Sequence, residues 1–196
     1  MISPQVIRTE PENTTDGERL LEGKNVNLSV MEKEDLPLFA EWINKPELSG
    51  EYNPLRQLSR TEIEKKYDEK KLEQEEFLIE KKEGTRIGYM WHFTSTFSKL
   101  LEIGYFLVPN ERGKGYCTEA VRIMVDYLFL SKNIVRIQAQ TDLRNVASQR
   151  ILEKVGFKKE GTIRKSLFNR GEWRDACVCS ILREEWKEPK ILTKTA

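Results

Sequence analysis

Histidine is nearly absent from this 196-residue chain, which has one, His92. A centre built on several imidazole ligands is therefore excluded, and no metal is expected. Cysteine is scarce too, at three residues. The number is odd, and Cys177 and Cys179 stand two apart on one expected strand, unsuited to bridging each other. With Cys117 they read as reduced core thiols, a redox or metal role being the alternative, and none has a histidine placed to activate it for an acyl-enzyme route. No apolar run approaches the ~20 residues of a membrane span. Residues 1–20 are polar, with Glu10, Glu12, Asp16 and Glu18, so no secretory core is expected. An excess of one charge is also missing. Thirty-three basic and 32 acidic residues leave a net +1, with no bulk attraction to nucleic acid or to an acidic membrane. Neither an internal repeat nor a low-complexity tract occurs. These absences leave one compact cytoplasmic domain, long enough to bury most of its apolar surface.

The most informative stretch present is Ile103-Gly-Tyr-Phe-Leu-Val-Pro-Asn-Glu-Arg-Gly-Lys-Gly-Tyr-Cys-Thr-Glu-Ala120. An apolar run with both faces buried reads as an interior strand. Pro109, which has no N–H for a ladder, ends it. Gly113 and Gly115 let backbone amides converge without Cβ obstruction. Cys117, Val121, Met124, Val125, Leu128 and Phe129 then recur at helical spacing. A glycine loop opening a helix is a binding site for phosphate or pyrophosphate. The pattern is neither a Walker A loop nor a dinucleotide fingerprint, since Lys114 is followed by Gly-Tyr and no third glycine completes Gly113-Lys-Gly115. Taken alone, these glycines also fit an ordinary strand-to-helix turn.

Arg112-Gly-Lys-Gly115-Tyr-Cys117 resembles the pyrophosphate loop of the GCN5-related N-acetyltransferases, written Gln/Arg-x-x-Gly-x-Gly/Ala, with Cys117 where glycine or alanine is usual. A second block, Asn145-Val-Ala-Ser148-Gln-Arg-Ile-Leu-Glu-Lys-Val-Gly-Phe157 with Glu160-Gly161, is similar to the Asn-x-x-Ser helix and Gly-Phe turn flanking the pantetheine arm in that superfamily. The branch resembled is that of the ribosomal-protein N-acetyltransferases. The resemblance covers residues 23–186 and is tightest over 102–161. It implies an α+β fold, a predominantly antiparallel sheet flanked by helices. The N-acetyltransferase domain spans 23–186, between an N-terminal extension, 1–22, and a tail, 187–196.

What the resemblance implies chemically is acetyl-CoA as co-substrate, bound by Arg112, Gly113, Lys114, Gly115, Tyr116, Cys117 and Thr118, with Asn145 and Ser148 along the pantetheine arm. Backbone amides of Leu107 or Val108 become the oxyanion donors. Glu102, heading the strand, and Glu160, in the Gly-Phe-x-x-Glu-Gly block, are the candidate bases; either also fits a solvated strand-end charge. On the Glu160 reading, Glu160→Gln loses transfer and keeps coenzyme affinity. The tyrosine that many members carry seven residues after the Asn is here Leu152, so the acid role passes to Ser148, to another group or to water. Ser148 also fits a hydroxyl bonded within its own helix. Asn145 serves as pantetheine partner, helix N-cap or both.

The expected reaction is direct transfer in a ternary complex to a primary amine, foremost the N-terminal α-amine of a protein such as a ribosomal protein. A small amine (polyamine, amino sugar or antibiotic) is the alternative. A non-catalytic CoA-binding module and a nucleotide-phosphate module are the rivals from other classes. Monomer and homodimer both remain open.

Other features place the elements. A strand is expected over Asn25–Met31, then a helix over Lys33–Asn44 with Pro37 in its first turn and Pro46 closing it. Glu47–Leu58 reads as a loop whose Glu51, Tyr52 and Asn53 either contact the amine or form a plain turn. Ser59-Arg-Thr-Glu62 predicts a capping box for a helix reaching Leu72. Strands follow over Glu76–Lys81, Thr85–Phe93, Leu100–Val108, Val135–Thr141, Lys158–Arg164 and Glu172–Leu182, with a helix over Asn145–Val155. Asn169-Arg-Gly171 is the last hairpin turn, and the chain is expected to fray after Trp186. His92, Trp42, Trp173 and Trp186 read as packing residues, and Glu64–Glu76 as a solvated helix face and its exit.

Overall fold

The computed structural model describes residues 20–69, 74–95 and 100–191. Among these, one sheet contains β1 (Leu20–Glu22), β2 (Val26–Val30), β3 (Glu75–Lys81), β4 (Arg86–Thr94), β5 (Leu101–Leu107), β6 (Arg136–Asp142), β7 (Lys158–Asn169) and β8 (Glu172–Leu182). Its order is β1-β2-β3-β4-β5-β6-β8-β7. Only β5 and β6 pair in parallel; the other neighbours are antiparallel. A parallel pair needs a crossover, and helix α4 (Tyr116–Ser131) supplies it. The arrangement is the α+β fold expected.

Helices α1 (Leu36–Asn44), α2 (Pro46–Ser49) and α3 (Arg60–Asp68) precede β3, and α5 (Val146–Val155) links β6 to β7. Two cores form, one on each side of β5. Leu101, Ile103 and Leu107 pack with Val121, Met124 and Leu128 of α4. Phe106 faces the other way, beside a core of Tyr89, Leu36, Trp42 and Ile63 under α1 and α3. Local rules hold at the helix ends. The Ser59 N–H donates to Glu62 at 2.8 Å and the Glu62 N–H to Ser59 Oγ at 3.3 Å, the reciprocal capping pair. Arg170 and Gly171, at φ 52° and 84°, make the left-handed two-residue hairpin turn.

Several boundaries differ from expectation. Pro46 opens the short helix α2 instead of merely closing α1, because proline suits a helix's first position. Helix α3 ends at Asp68, and part of the stretch expected to carry it to Leu72 lies outside the described residues. Strand β7 runs on to Asn169, well beyond Arg164. Trp173 is 55% exposed and meets the Phe168 ring near the hairpin. The expected extension 1–22 already contains β1, while residues 1–19 lie outside the described residues. Nor does the chain fray at Trp186. Buried Asp126 accepts from Trp186 Nε1 at 2.8 Å, from the Lys190 amide at 2.8 Å and from the Ile191 amide at 2.7 Å, anchoring the segment through Ile191. Residues 192–196 lie outside the described residues.

Candidate active site

The parallel ladder is very short. β5 and β6 pair only at Leu101–Ile137 and Glu102–Gln138, then separate toward Leu107 and Asp142. In open sheets, ligands lie beyond the carboxyl ends of parallel strands, here the open end of this gap. Val108 donates its N–H to Ile87 O at 3.0 Å, on the β4 side. Main-chain groups alternate along a strand, so the Leu107 N–H and C=O turn toward β6. Accordingly Arg112 Nε donates to Leu107 O at 2.9 Å. Of the two expected oxyanion donors, Leu107 faces the gap. Val108 does not, because its amide is already bonded to the neighbouring strand.

The loop between β5 and α4 holds Gly113 at φ 77° and Gly115 at φ 88°, with nothing within 4 Å of a Cβ built on either. Gly115 is the N-cap of α4 and has no side chain to satisfy the helix amides. Glu119 N–H is bonded to Gly115 O, so the amides of Tyr116, Cys117 and Thr118 precede the first intrahelical bond and suit an anion. A 770 Å³ cavity adjoins this turn, lined by Lys24, Lys114, Gly115, Thr118, Arg122 and Lys154 among others. Its basic rim fits the phosphates of a coenzyme.

Arg112 departs from the expected role. Its guanidinium bonds Leu107 O and lies against Gly50, and its amide donates to Pro109 O at 3.2 Å, so it braces the loop instead of presenting to an anion. Lys114 pairs with Glu111 at 3.0 Å on the surface, an exposed bond that a phosphate can replace. Cys117 turns into the core, and burial pushes its thiol up to about 12, leaving it a neutral packing group at physiological pH.

Across the gap, Asn145 caps α5: its Oδ1 accepts from the Ser148 N–H at 3.1 Å. Ser148 Oγ lies 3.0 Å from the hydroxyl of Tyr105, which projects from β5 on its α4-facing side. Burial raises the Tyr105 phenol above its ordinary value, and the nearby Cys117 adds to this, so it stays protonated. Tyr105 is not among the site residues expected from the sequence, where it falls within the apolar run of the interior strand. A buried tyrosine hydroxyl requires a partner, and that was the available signal. Leu152, where many relatives of the motif carry tyrosine, is fully packed in the core.

The two candidate bases separate clearly. Glu102 accepts from Gln138 Nε2 at 3.3 Å and Gln140 Nε2 at 3.2 Å. Burial raises its pKa, and these two bonds only partly oppose the rise. Glu160 instead meets Arg136 through both oxygens, each at 2.5 Å, and Ser180 Oγ at 2.6 Å. The Arg136 guanidinium, then Ser180, holds it down to about 2. Arg136 also precedes Ile137, so this pair sits at the closed end of the gap. Of the two candidate bases, Glu160 is the one stabilised as an ion and held by Arg136 and Ser180, away from the open end of the gap. Arg136, Gln138 and Gln140, absent from the sequence reading, link the two glutamates in one network, with Arg136 Nη2 donating to Gln138 Oε1 at 2.9 Å.

The Gly50–Pro54 segment packs at the far end of β6, beside Arg144 and the β7–β8 hairpin. Tyr52 Oη donates to Arg144 O at 3.2 Å and Asn169 Nδ2 to Glu51 O at 3.0 Å. His92 is fully buried and bonded to Glu75 at 2.6 Å, in the core as expected. Among the described residues, no cluster of three or more His, Cys, Asp or Glu could hold a metal, and no helix is long and apolar enough to cross a membrane.

The family profile described as "Acetyltransferase (GNAT) domain" matches residues 25–158, more than half of the chain. The chain is 48% identical over 83 residues to the probable N-acetyltransferase YjcK of Bacillus subtilis (strain 168), covering 42% of this chain and 46% of that protein. It thus spans about half the length of the curated relatives it matches. Its fold is similar to that of a Vibrio cholerae spermidine N-acetyltransferase in complex with CoA and spermine. That likeness has a TM-score of 0.72 at 21% identity and covers 83% of this chain and 98% of the other. A Vibrio fischeri ribosomal-protein-S5-alanine acetyltransferase gives a TM-score of 0.72 at 24% identity, covering 86% and 98%. With the divided β5–β6 pair and the bare N-terminus of α4 behind its glycine turn, the chain belongs to the acetyltransferase (GNAT) domain family.

Proposed function

We propose that this protein transfers an acetyl group from acetyl-CoA directly to a primary amine. The single observation that carries this reading is the ladder ending at Glu102–Gln138 with uncapped amides of α4 beyond the same end of β5. The diphosphate binds the turn at Gly113, Lys114 and Gly115 with the amides of Tyr116, Cys117 and Thr118. The pantetheine arm runs between the strands past Asn145. The amine lone pair forms the new N–C bond at the acetyl carbonyl carbon, and Leu107 N–H receives the charge developing on oxygen. Losing one such donor typically costs ~3 kcal/mol of barrier stabilisation. The C–S bond breaks with its electron pair on sulfur. Tyr105 orients Ser148, whose hydroxyl donates toward that sulfur, and a solvent-derived proton completes the thiol. Glu102, directly or through water, takes the proton released by the amine.

The preferred acceptor is a protein N-terminal α-amine, such as that of a ribosomal protein. An α-amine (pKa ~8) is about a tenth neutral at pH 7, while a lysine amine (pKa ~10.4) is below ~0.1% neutral, so a weak base suffices. A second reading, transfer to a small amine, is favoured by a cavity on the Glu102 face of the sheet. Calorimetry with CoA and with ATP, then thiol release from acetyl-CoA with peptides of varied first residue and with small amines, tests the assignment. CoA binding with amine-dependent thiol release is expected. ATP binding without CoA binding sinks it; CoA binding with no transfer to any amine points to a binding module.

A further inference from the structure

Resting on the transfer reading above, we infer that the acceptor is a primary amine bearing an aromatic or bulky apolar body, seated between the sheet and helices α1 and α3. A cavity of 1350 Å³ lies there, with Phe39, Tyr89, Trp91, Phe93 and Phe106 among its lining residues. It exceeds the ~300–1,000 Å³ of ordinary ligand pockets. Its wall is already organised. Tyr89 stacks on Trp91 at 5.1 Å and 27°, and Phe39 meets Tyr89 at 4.7 Å. Rigid ring faces bind apolar bodies with little further ordering.

Gly104 makes this wall possible. It pairs across the strands with Trp91, and a Cβ at Gly104 would fall 2.1 Å from the indole. The missing side chain lets the indole lie flat on β5. The next cross-strand pair on the same face is Phe93 with Glu102. The wall therefore ends beside the carboxylate assigned to the amine proton, and Phe106 continues it toward Leu107. An amine poised at Glu102 has its body against Trp91.

The lining disfavours a polycation. Glu69 and Glu76 line the cavity, but so do Arg56 and Lys66, leaving no carboxylate excess for a polycation. Glu76 is also engaged by Gln74 Nε2 at 3.0 Å. Ser49, Asn53, Thr94 and Ser95 also line the cavity, so comparison with glucosamine decides between an amino sugar and an aromatic body. The body can belong to a free arylalkylamine or to the aromatic first residue of a peptide.

The test uses the full chain with acetyl-CoA. 2-Phenylethylamine, tryptamine and Phe- or Trp-first peptides are compared with spermidine, glucosamine and an Ala-first peptide. One or both aromatic sets should lead by about tenfold or more in kcat/KM, and which of them leads identifies the source. Gly104→Ala, which displaces the indole, should raise KM for the aromatic acceptor about tenfold while KM for acetyl-CoA holds. Trp91→Leu keeps the core apolar and serves if Gly104→Ala misfolds. Preference for spermidine, glucosamine or the Ala-first peptide, or a flat panel, overturns the inference. Saturation-transfer NMR with 2-phenylethylamine and with a Phe-first peptide, without coenzyme, separates the two claims. Aromatic binding lost in Trp91→Leu, with no acetyl transfer, keeps the cavity assignment and removes the transferase reading. Transfer to amines outside the aromatic sets, with neither aromatic probe bound, does the reverse. No aromatic binding and no transfer overturns both.

Discussion

Tyr105 of β5 and Ser148 of α5, 43 residues apart in sequence, bring their hydroxyls within 3.0 Å across the gap that opens between β5 and β6. The phenol remains protonated because burial, and then Cys117, raise its pKa. It can therefore donate to Ser148 Oγ and leave the serine proton free to point at a leaving sulfur. Hydrogen bonds in series reinforce each other in a site shielded from water.

Tyr105→Phe removes only the outer donor. Turnover should fall about tenfold, as for a neutral hydrogen bond of about 1.4 kcal/mol, with KM for acetyl-CoA unchanged. Because Tyr105 acts through Ser148, adding the change to Ser148→Ala should cost nothing more. Steady-state kinetics of the two single variants and the double variant decide this; additive losses would show that the two act independently.

Glu102 should set the acid limb of the rate profile. Its pKa is raised by burial, so the limb lies above the ~4.3 of an ordinary glutamate. Protonation on the low-pH side removes the base, so kcat rises as pH increases through that value. Glu102→Gln should flatten the limb and lower kcat by ~10²-fold. A pH–rate profile that keeps its acid limb in Glu102→Gln would assign the base elsewhere.

Glu160→Gln should leave turnover near the wild-type rate and act on stability instead. The folded-state pKa is lowered to about 2 by Arg136 and Ser180. The contribution is therefore present above the unfolded value of ~4.3 and fades as pH falls from there toward about 2. Thermal melts of both proteins should differ at neutral pH and converge in acid. A lost turnover with an unchanged melting temperature would restore Glu160 to the chemistry.

Gly115→Ala should weaken CoA binding about tenfold or more, equivalent to ~1.4 kcal/mol. A Cβ at φ 88° is strained and projects into the open space before the helix amides. Calorimetry with CoA measures the loss, and unchanged affinity would place the diphosphate away from this turn.

The legible parts of this protein were those whose cause lies in neighbouring residues. Gly113-Lys-Gly115, the apolar stripe of α4, the Asn145 cap and the Ser59–Glu62 capping box are all short-range patterns. Chain geometry within a few residues dictates them. Helix α2 escaped because Pro46 stops one helix and starts another with equal ease. The extent of β7 escaped because its register slips between Ile163 and Leu167, with Lys165 at φ 51°, which breaks the alternation where the strand continues.

By itself the sequence determined the α+β class and the strand-turn-helix that joins β5 to α4, since local periodicity and glycine φ preference suffice for these. Only tertiary structure decided that Glu160 is held by Arg136, that Val108 is bonded to β4 while Leu107 faces the gap, and that Tyr105 meets Ser148. Tertiary structure alone also laid Trp91 flat over Gly104 beside Glu102. Each of these depends on strand register and on which face a side chain takes, quantities set by pairing between distant segments.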